Sequence, residues 1–128
     1  MKFTPIEPPR EFEVGLDKKS RLKDCARIEL QPDEQVTFLT ETGAEYDVVR
    51  KSWGFYATPS LNGRLQQFGL RAVLVKNAIS RYFVFLVEKG KEAEFQNYLE
   101  IERNEVVSWL DGDIELQRVE KKLREKIQ

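Results

Sequence analysis

The chain has 128 residues, 41% of them hydrophobic and 34% charged, a balance that suits one folded domain around one continuous core and not a disordered polymer. Its 21 basic and 22 acidic side chains give a net charge of -1, so no general attraction to nucleic acid is built in. Histidine is absent, which removes Ser-His and Cys-His nucleophilic pairs, imidazole acid-base catalysis and imidazole metal sites, and the single Cys25 excludes an intrachain disulfide.

The first residues lack the apolar core of a signal peptide, and no apolar run approaches the roughly 20 residues that span a bilayer. A cytoplasmic protein without a membrane partner is the expectation. A carboxylate-only magnesium or calcium site needs an acidic cluster at loop spacing, which the sequence lacks, so neither a metal nor a cofactor is expected.

Residues 1–24 hold Pro5, Pro8 and Pro9 and a charged run from Asp17 to Asp24; only Phe12 and Val14 alternate like a strand. They read as an extended arm with one short edge strand, followed by a single domain over residues 25–128. Ala26, Ile28 and Leu30 alternate with polar neighbours up to the turn residues Pro32-Asp33. Val36–Thr40 and Tyr46–Val49 flank Thr42-Gly43 as in a hairpin.

From Ser52 to Gly69 the pattern is irregular, and the run Ser52–Arg64 packs together Trp53, Phe55, Tyr56, two glycines, Pro59, Asn62 and Arg64. Leu70–Val75 and Tyr82–Val87 follow as strands, the second, with six consecutive apolar residues, reading as a central one. Short links between five or six strands imply antiparallel pairing.

Between Lys91 and Leu110 the apolar positions Phe95, Tyr98, Leu99, Val106, Trp109 and Leu110 fall mainly on one helical face, with Gly112 placed as a C-terminal cap. Asp113 caps a second helix whose stripe is Leu116, Val119, Leu123 and Ile127. The fold expected is α+β: an antiparallel sheet or small barrel of five to six strands followed by two C-terminal helices.

Charge is segregated along this chain. Between Asp47 and Glu88 lie forty residues with no acid, where the average of 22 in 128 would place about seven. The interval carries Arg50, Lys51, Arg64, Arg71, Lys76 and Arg81. Either these cations pair with carboxylates of neighbouring elements, or they form an electropositive face that attracts an anion. The aromatic run has two readings as well, as a plug at one end of the sheet or as a platform beside donors. Trp53, Tyr56, Asn62, Arg64, Arg71 and Arg50 make up the candidate ligand site on the second reading, since glycine backbone, amide and guanidinium beside rings suit a sugar or a nucleobase.

Catalytic signals are weaker. Tyr56 could serve as an acid or base if Arg50 or Lys51 lowered its pKa, and Glu45 or Asp47 as a base if buried, but no spacing marks a pair. No Walker-type run and no dinucleotide glycine fingerprint is present. The alternation around Gln31-Pro32-Asp33-Glu34-Gln35-Val36 resembles the small β-barrel domains of the cupin type, over about half of the chain. The histidines by which such barrels hold metal are missing, so no family is assigned.

The leading expectation is a domain that binds a small anionic ligand such as a sugar phosphate, a sugar nucleotide or a carboxylate. The alternatives are a protein-protein interaction or assembly module, including a homodimer through the C-terminal helix, and a metal-independent enzyme acting on a similar ligand. Single-stranded nucleic acid stacked on the aromatics is a fourth reading, disfavoured by an isoelectric point of about 5.7.

Overall fold

The computed structural model describes residues 1–125, and among them eight strands and three helices. The chain begins as a long antiparallel hairpin of β1 (Lys2–Val14) and β2 (Ser20–Glu29). Its register shifts between Pro5 and Arg10, a stretch containing Pro8 and Pro9, which have no N–H to give to a ladder. Residues 1–24 are therefore a whole strand, a turn and part of its partner, well beyond the alternation visible at Phe12 and Val14.

β3 (Gln35–Leu39), β4 (Glu45–Lys51) and β5 (Gly54–Ala57) form a second antiparallel sheet with β4 in the middle. The turn between β3 and β4 falls at Thr42-Gly43 as expected. Gly43 has a φ of 102°, which side chains resist, and its N–H donates to the Thr40 carbonyl at 3.1 Å. The stretch that reads as irregular holds β5 and one helical turn, α1 (Arg64–Gln67), so Asn62-Gly63 leads into a helix.

β6 (Leu70–Lys76) pairs with β7 (Tyr82–Glu88); the chain then forms α2 (Glu92–Glu102) and returns as β8 (Glu105–Trp109) on the other side of β6. The order β7-β6-β8 corrects the reading of Tyr82–Val87 as central: β7 is an edge, with Tyr82, Phe83 and Val84 exposed. An apolar run shows what a strand can bury, not whether both neighbours are present. The strand buried on both sides is β6. Its Leu70 and Ala72 pack with Ala44 and Leu65, while Val73 and Val75 pack with Val87 and Leu99. Alternation along β6 thus makes two clusters on opposite faces instead of one continuous core.

The single helix expected over Lys91–Leu110 is two elements. α2 stops at Glu102 because Arg103 turns left-handed at φ 55° and ψ 41°, its N–H donating to the Glu100 carbonyl. The β-branched pair Val106-Val107 then continues as strand. Phe95 and Leu99 of α2 and Trp109 of β8 all pack in the Val73–Val75 cluster, so their spacing mimicked one helix face. Gly112 caps no such helix; it precedes α3 (Asp113–Glu125).

α3 carries Asp113 and Glu115 in its first turn and Lys122 and Arg124 in its last, the polarity that the helix dipole favours. Leu116 and Val119 are only partly buried and Leu123 is exposed, whereas Ile127 lies outside the described residues. The three sheets stay open and antiparallel, so the α+β expectation holds and the barrel alternative, with its cupin-like form, does not. Among the described residues no helix is long and apolar enough to cross a membrane.

Candidate functional site

Lys51 pairs with Gly54 across a two-residue turn, Ser52-Trp53, that joins β4 to β5. The register sets Arg50 beside Phe55 and Val49 beside Tyr56, so successive pairs point to opposite sides of this hairpin. Trp53 folds back over Tyr56, the rings 6.1 Å apart and 22° from parallel. The result is a tip with aromatic groups on both sides. Trp53 is 69% and Phe55 64% exposed, and Tyr56 is also exposed, so these rings do not plug the sheet.

The basic residues nearby do not converge. Lys51 is bound by Asp33, which raises its pKa chiefly through the side-chain hydrogen bond. Arg64 on α1 reaches Asp47 at 3.6 Å and lies 5.0 Å over the Phe68 ring. Asp47 is itself only 7% exposed and accepts a hydrogen bond from the Thr37 hydroxyl at 2.6 Å. Asn62 donates its side-chain amide to Asp113 at 2.8 Å, which ties the loop to the start of α3.

Arg71 lies in a different place, on β6. Its guanidinium donates to Asp111 at 2.7 Å and to Glu92 at 3.3 Å, and stacks 4.0 Å over the Trp109 ring. The Asp111 hydrogen bond is the main reason that its pKa is raised. Gln66 closes the arrangement by donating to the Asp111 carbonyl at 2.7 Å. A concavity of about 430 Å³ opens here, lined by Gln66, Arg71, Lys89, Trp109, Asp111 and Glu115. Arg71 and Lys89 face Asp111, Glu115 and the adjoining Glu92, so the carboxylates outnumber the cations.

Of the six predicted residues, then, Trp53 and Tyr56 meet at the tip, whereas Arg50 pairs with Phe55 and so lies on the other side of the hairpin from Tyr56. Asn62 and Arg64 are held by their own carboxylates, and Arg71 belongs to a separate cluster. The Arg50 side chain has no ion pair among the described residues, although its backbone is fixed by the Glu34 carbonyl at 3.0 Å. Asp111 and Glu92 were not singled out in the sequence, and Trp109 stood there only as an apolar position on an expected helix face. The available signal was Arg71 itself: a cation on a buried strand inside an acid-free interval needs a carboxylate brought from elsewhere.

A second concavity, of about 510 Å³, is apolar and lies between the β1–β2 turn and the β7–α2 region, with Leu16, Ile79, Phe83, Phe85 and Tyr98 in its wall. Among the described residues no group of three or more acids and cysteines is placed to hold a metal ion. Comparison with protein-family models, with curated proteins and with solved structures finds no match to this chain.

Proposed function

We propose that this chain is a protein-interaction module that binds another protein through the aromatic tip of the β4–β5 hairpin. The observation that carries this reading is the exposure of Trp53 on a two-residue turn together with Phe55 and Tyr56 on the strand that follows it. Tryptophan and tyrosine are the side chains that most often dominate binding energy at protein interfaces, and Arg50 beside Phe55 adds a charge suited to the rim. Stacking of Trp53 on Tyr56 preorganises the pair, which lowers the entropy lost on binding. A small-anion function draws less support, since Lys51, Arg64 and Arg71 each already hold a carboxylate.

The test is a comparison of the proteins that co-purify with the tagged wild type and with the Trp53→Ala/Tyr56→Ala variant, by quantitative mass spectrometry. Loss of two hot-spot side chains should weaken a genuine partner by about 30-fold or more. An identical set of co-purifying proteins at equal abundance would overturn the reading.

A further inference from the structure

We propose that the open edge of β7 accepts an extended, cationic segment of another protein as an added strand, its apolar side chains at alternate positions entering two concavities beside α2. This edge belongs to a different sheet from the aromatic tip, and its occupation does not depend on the tip.

Two backbone bonds just beyond the ends of the strand fix which way each residue of β7 faces. The Asn77 N–H donates to the Arg81 carbonyl at 2.8 Å, and the Lys89 N–H to the Gly69 carbonyl at 2.9 Å. Both couples continue the register that sets Lys76 beside Tyr82 and Leu70 beside Glu88, so odd-numbered residues of β7 turn their N–H and C=O groups toward β6. Even-numbered residues turn theirs outward. Tyr82, Val84 and Leu86 thus present three donors and three acceptors along an edge that no other described strand pairs with. Native edges are commonly blunted by lysine, proline or a bulge. Tyr82–Val87 contains no charge and no proline and pairs with β6 without a break, whereas at the opposite edge a register shift leaves Val107 of β8 unmatched.

What lies beside the edge sets the side chains of the occupant. Phe85 and Val87 pack in the cluster beneath α2, and Phe83 shares their face by alternation. On that face two concavities succeed one another along β7, both walled by Phe85 and Tyr98: the 510 Å³ space beside Phe83, and one of about 420 Å³ beside Val87 and Phe95. Residues two apart on an added strand are about 7 Å from each other on one face, so each concavity can take one. The rim is acidic. Glu88, Glu94 and Glu102 stand against Lys91 alone, which already meets Glu88 at 3.6 Å, while Arg81 and Lys89 at the strand ends line neither space. A segment with lysine or arginine complements this rim. A second β7 joined edge to edge would instead bring its own α2 to the same face, with three more acids and one more lysine. Main-chain bonds then supply affinity and the alternate apolar positions supply selectivity.

Amide hydrogen exchange, followed by NMR on the full chain, reads the edge residue by residue. In the free protein the amides of Tyr82, Val84 and Leu86 should exchange at least about 100-fold faster than those of Phe83 and Phe85. The probe is a mixture of heptapeptides Lys-X-Thr-X-Thr-X-Lys, with X valine, leucine, isoleucine or phenylalanine. At about 1 mM, a dissociation constant of about 100 µM slows the three outward amides about 10-fold. Val84→Pro removes one outward N–H and leaves the ladder to β6 whole, and should bring the slowing at Tyr82 and Leu86 below about twofold. Should that variant not fold, the same mixture N-methylated throughout decides on the wild type, where it should slow nothing. The proposal is overturned if the mixture leaves the outward amides unchanged, if slowing survives Val84→Pro or N-methylation, or if peptides ending in glutamate act equally well. Outward amides already as protected as their neighbours would overturn it too, and protection lost on dilution would make a second copy the occupant.

Discussion

Arg71 stands in a forty-residue stretch without an acid, yet its guanidinium touches two carboxylates. Both come from beyond the gap: Glu92 opens α2 and Asp111 follows β8. Lys51 is served from before it, by Asp33 ahead of β3, and Arg64 by Asp47 at its border. For three of the six cations, then, the charge segregation read along the chain is undone by the fold, which returns acids from outside the interval to Lys51, Arg64 and Arg71 within it. That the cations needed partners was legible in the sequence; the identity of each partner depended on topology. Asp111 is 6% exposed, and without its cation it becomes an uncompensated buried charge. Arg71→Ala should thus cost about 3 kcal/mol, the low end for a broken buried pair because the guanidinium itself is partly open to water. Urea denaturation at neutral pH measures this. A loss near zero would mean that Arg71 is not part of the structural cluster.

At the level of elements, local chemistry was readable and long-range placement was not. Thr42-Gly43 announced the β3–β4 hairpin because a left-handed backbone at Gly43 is a local requirement, and Leu70–Val75 announced β6 by its composition. The break after Glu102 was invisible, since Arg103 is an unusual residue for a left-handed conformation and the apolar spacing ran on through Val106 and Trp109. The joints between elements rest on acids. Glu34 is held low by the Gln31 N–H and then by the N-terminal ammonium. The Thr42 hydroxyl does the same for Glu88, linking the β3–β4 turn to the end of β7, and backbone N–H groups do so for Glu92 at the start of α2. All three carboxyls titrate below their ordinary value of 4.5 when folded, so the unfolded chain takes up protons first as pH falls. Their contribution is complete above that value and is lost as pH drops through the lower, folded values. Urea midpoints should accordingly stay level from pH 7 to about 5 and fall below it. Replacing Glu34, Glu88 and Glu92 together by glutamine should flatten that acid limb, and an unchanged limb would assign it to other groups.

For the whole molecule, the order of strand-like and helix-like segments indicated the α+β fold, but alternation could not separate residues that fill a core from residues left exposed. Both kinds are apolar and both alternate, which is why Ile28 on β2, and Leu116, Val119 and Leu123 on α3, look like core in the sequence. The sequence places assembly on the last helix, and truncation after Gly112 tests that placement. α3 has no fully buried residue among those described, and its removal gives up the Asn62–Asp113 hydrogen bond and the partial burial of Leu116 and Val119. The loss should be about 2 kcal/mol, by the scale of apolar burial and one net hydrogen bond. If a dimer forms through α3, tenfold dilution should lower the melting temperature of the full chain by about 3 °C, because dissociation accompanies unfolding and contributes about 1.4 kcal/mol per decade. The shortened chain should then be monomeric, with a melting temperature independent of dilution. An oligomeric state unchanged by the truncation would remove α3 as the interface.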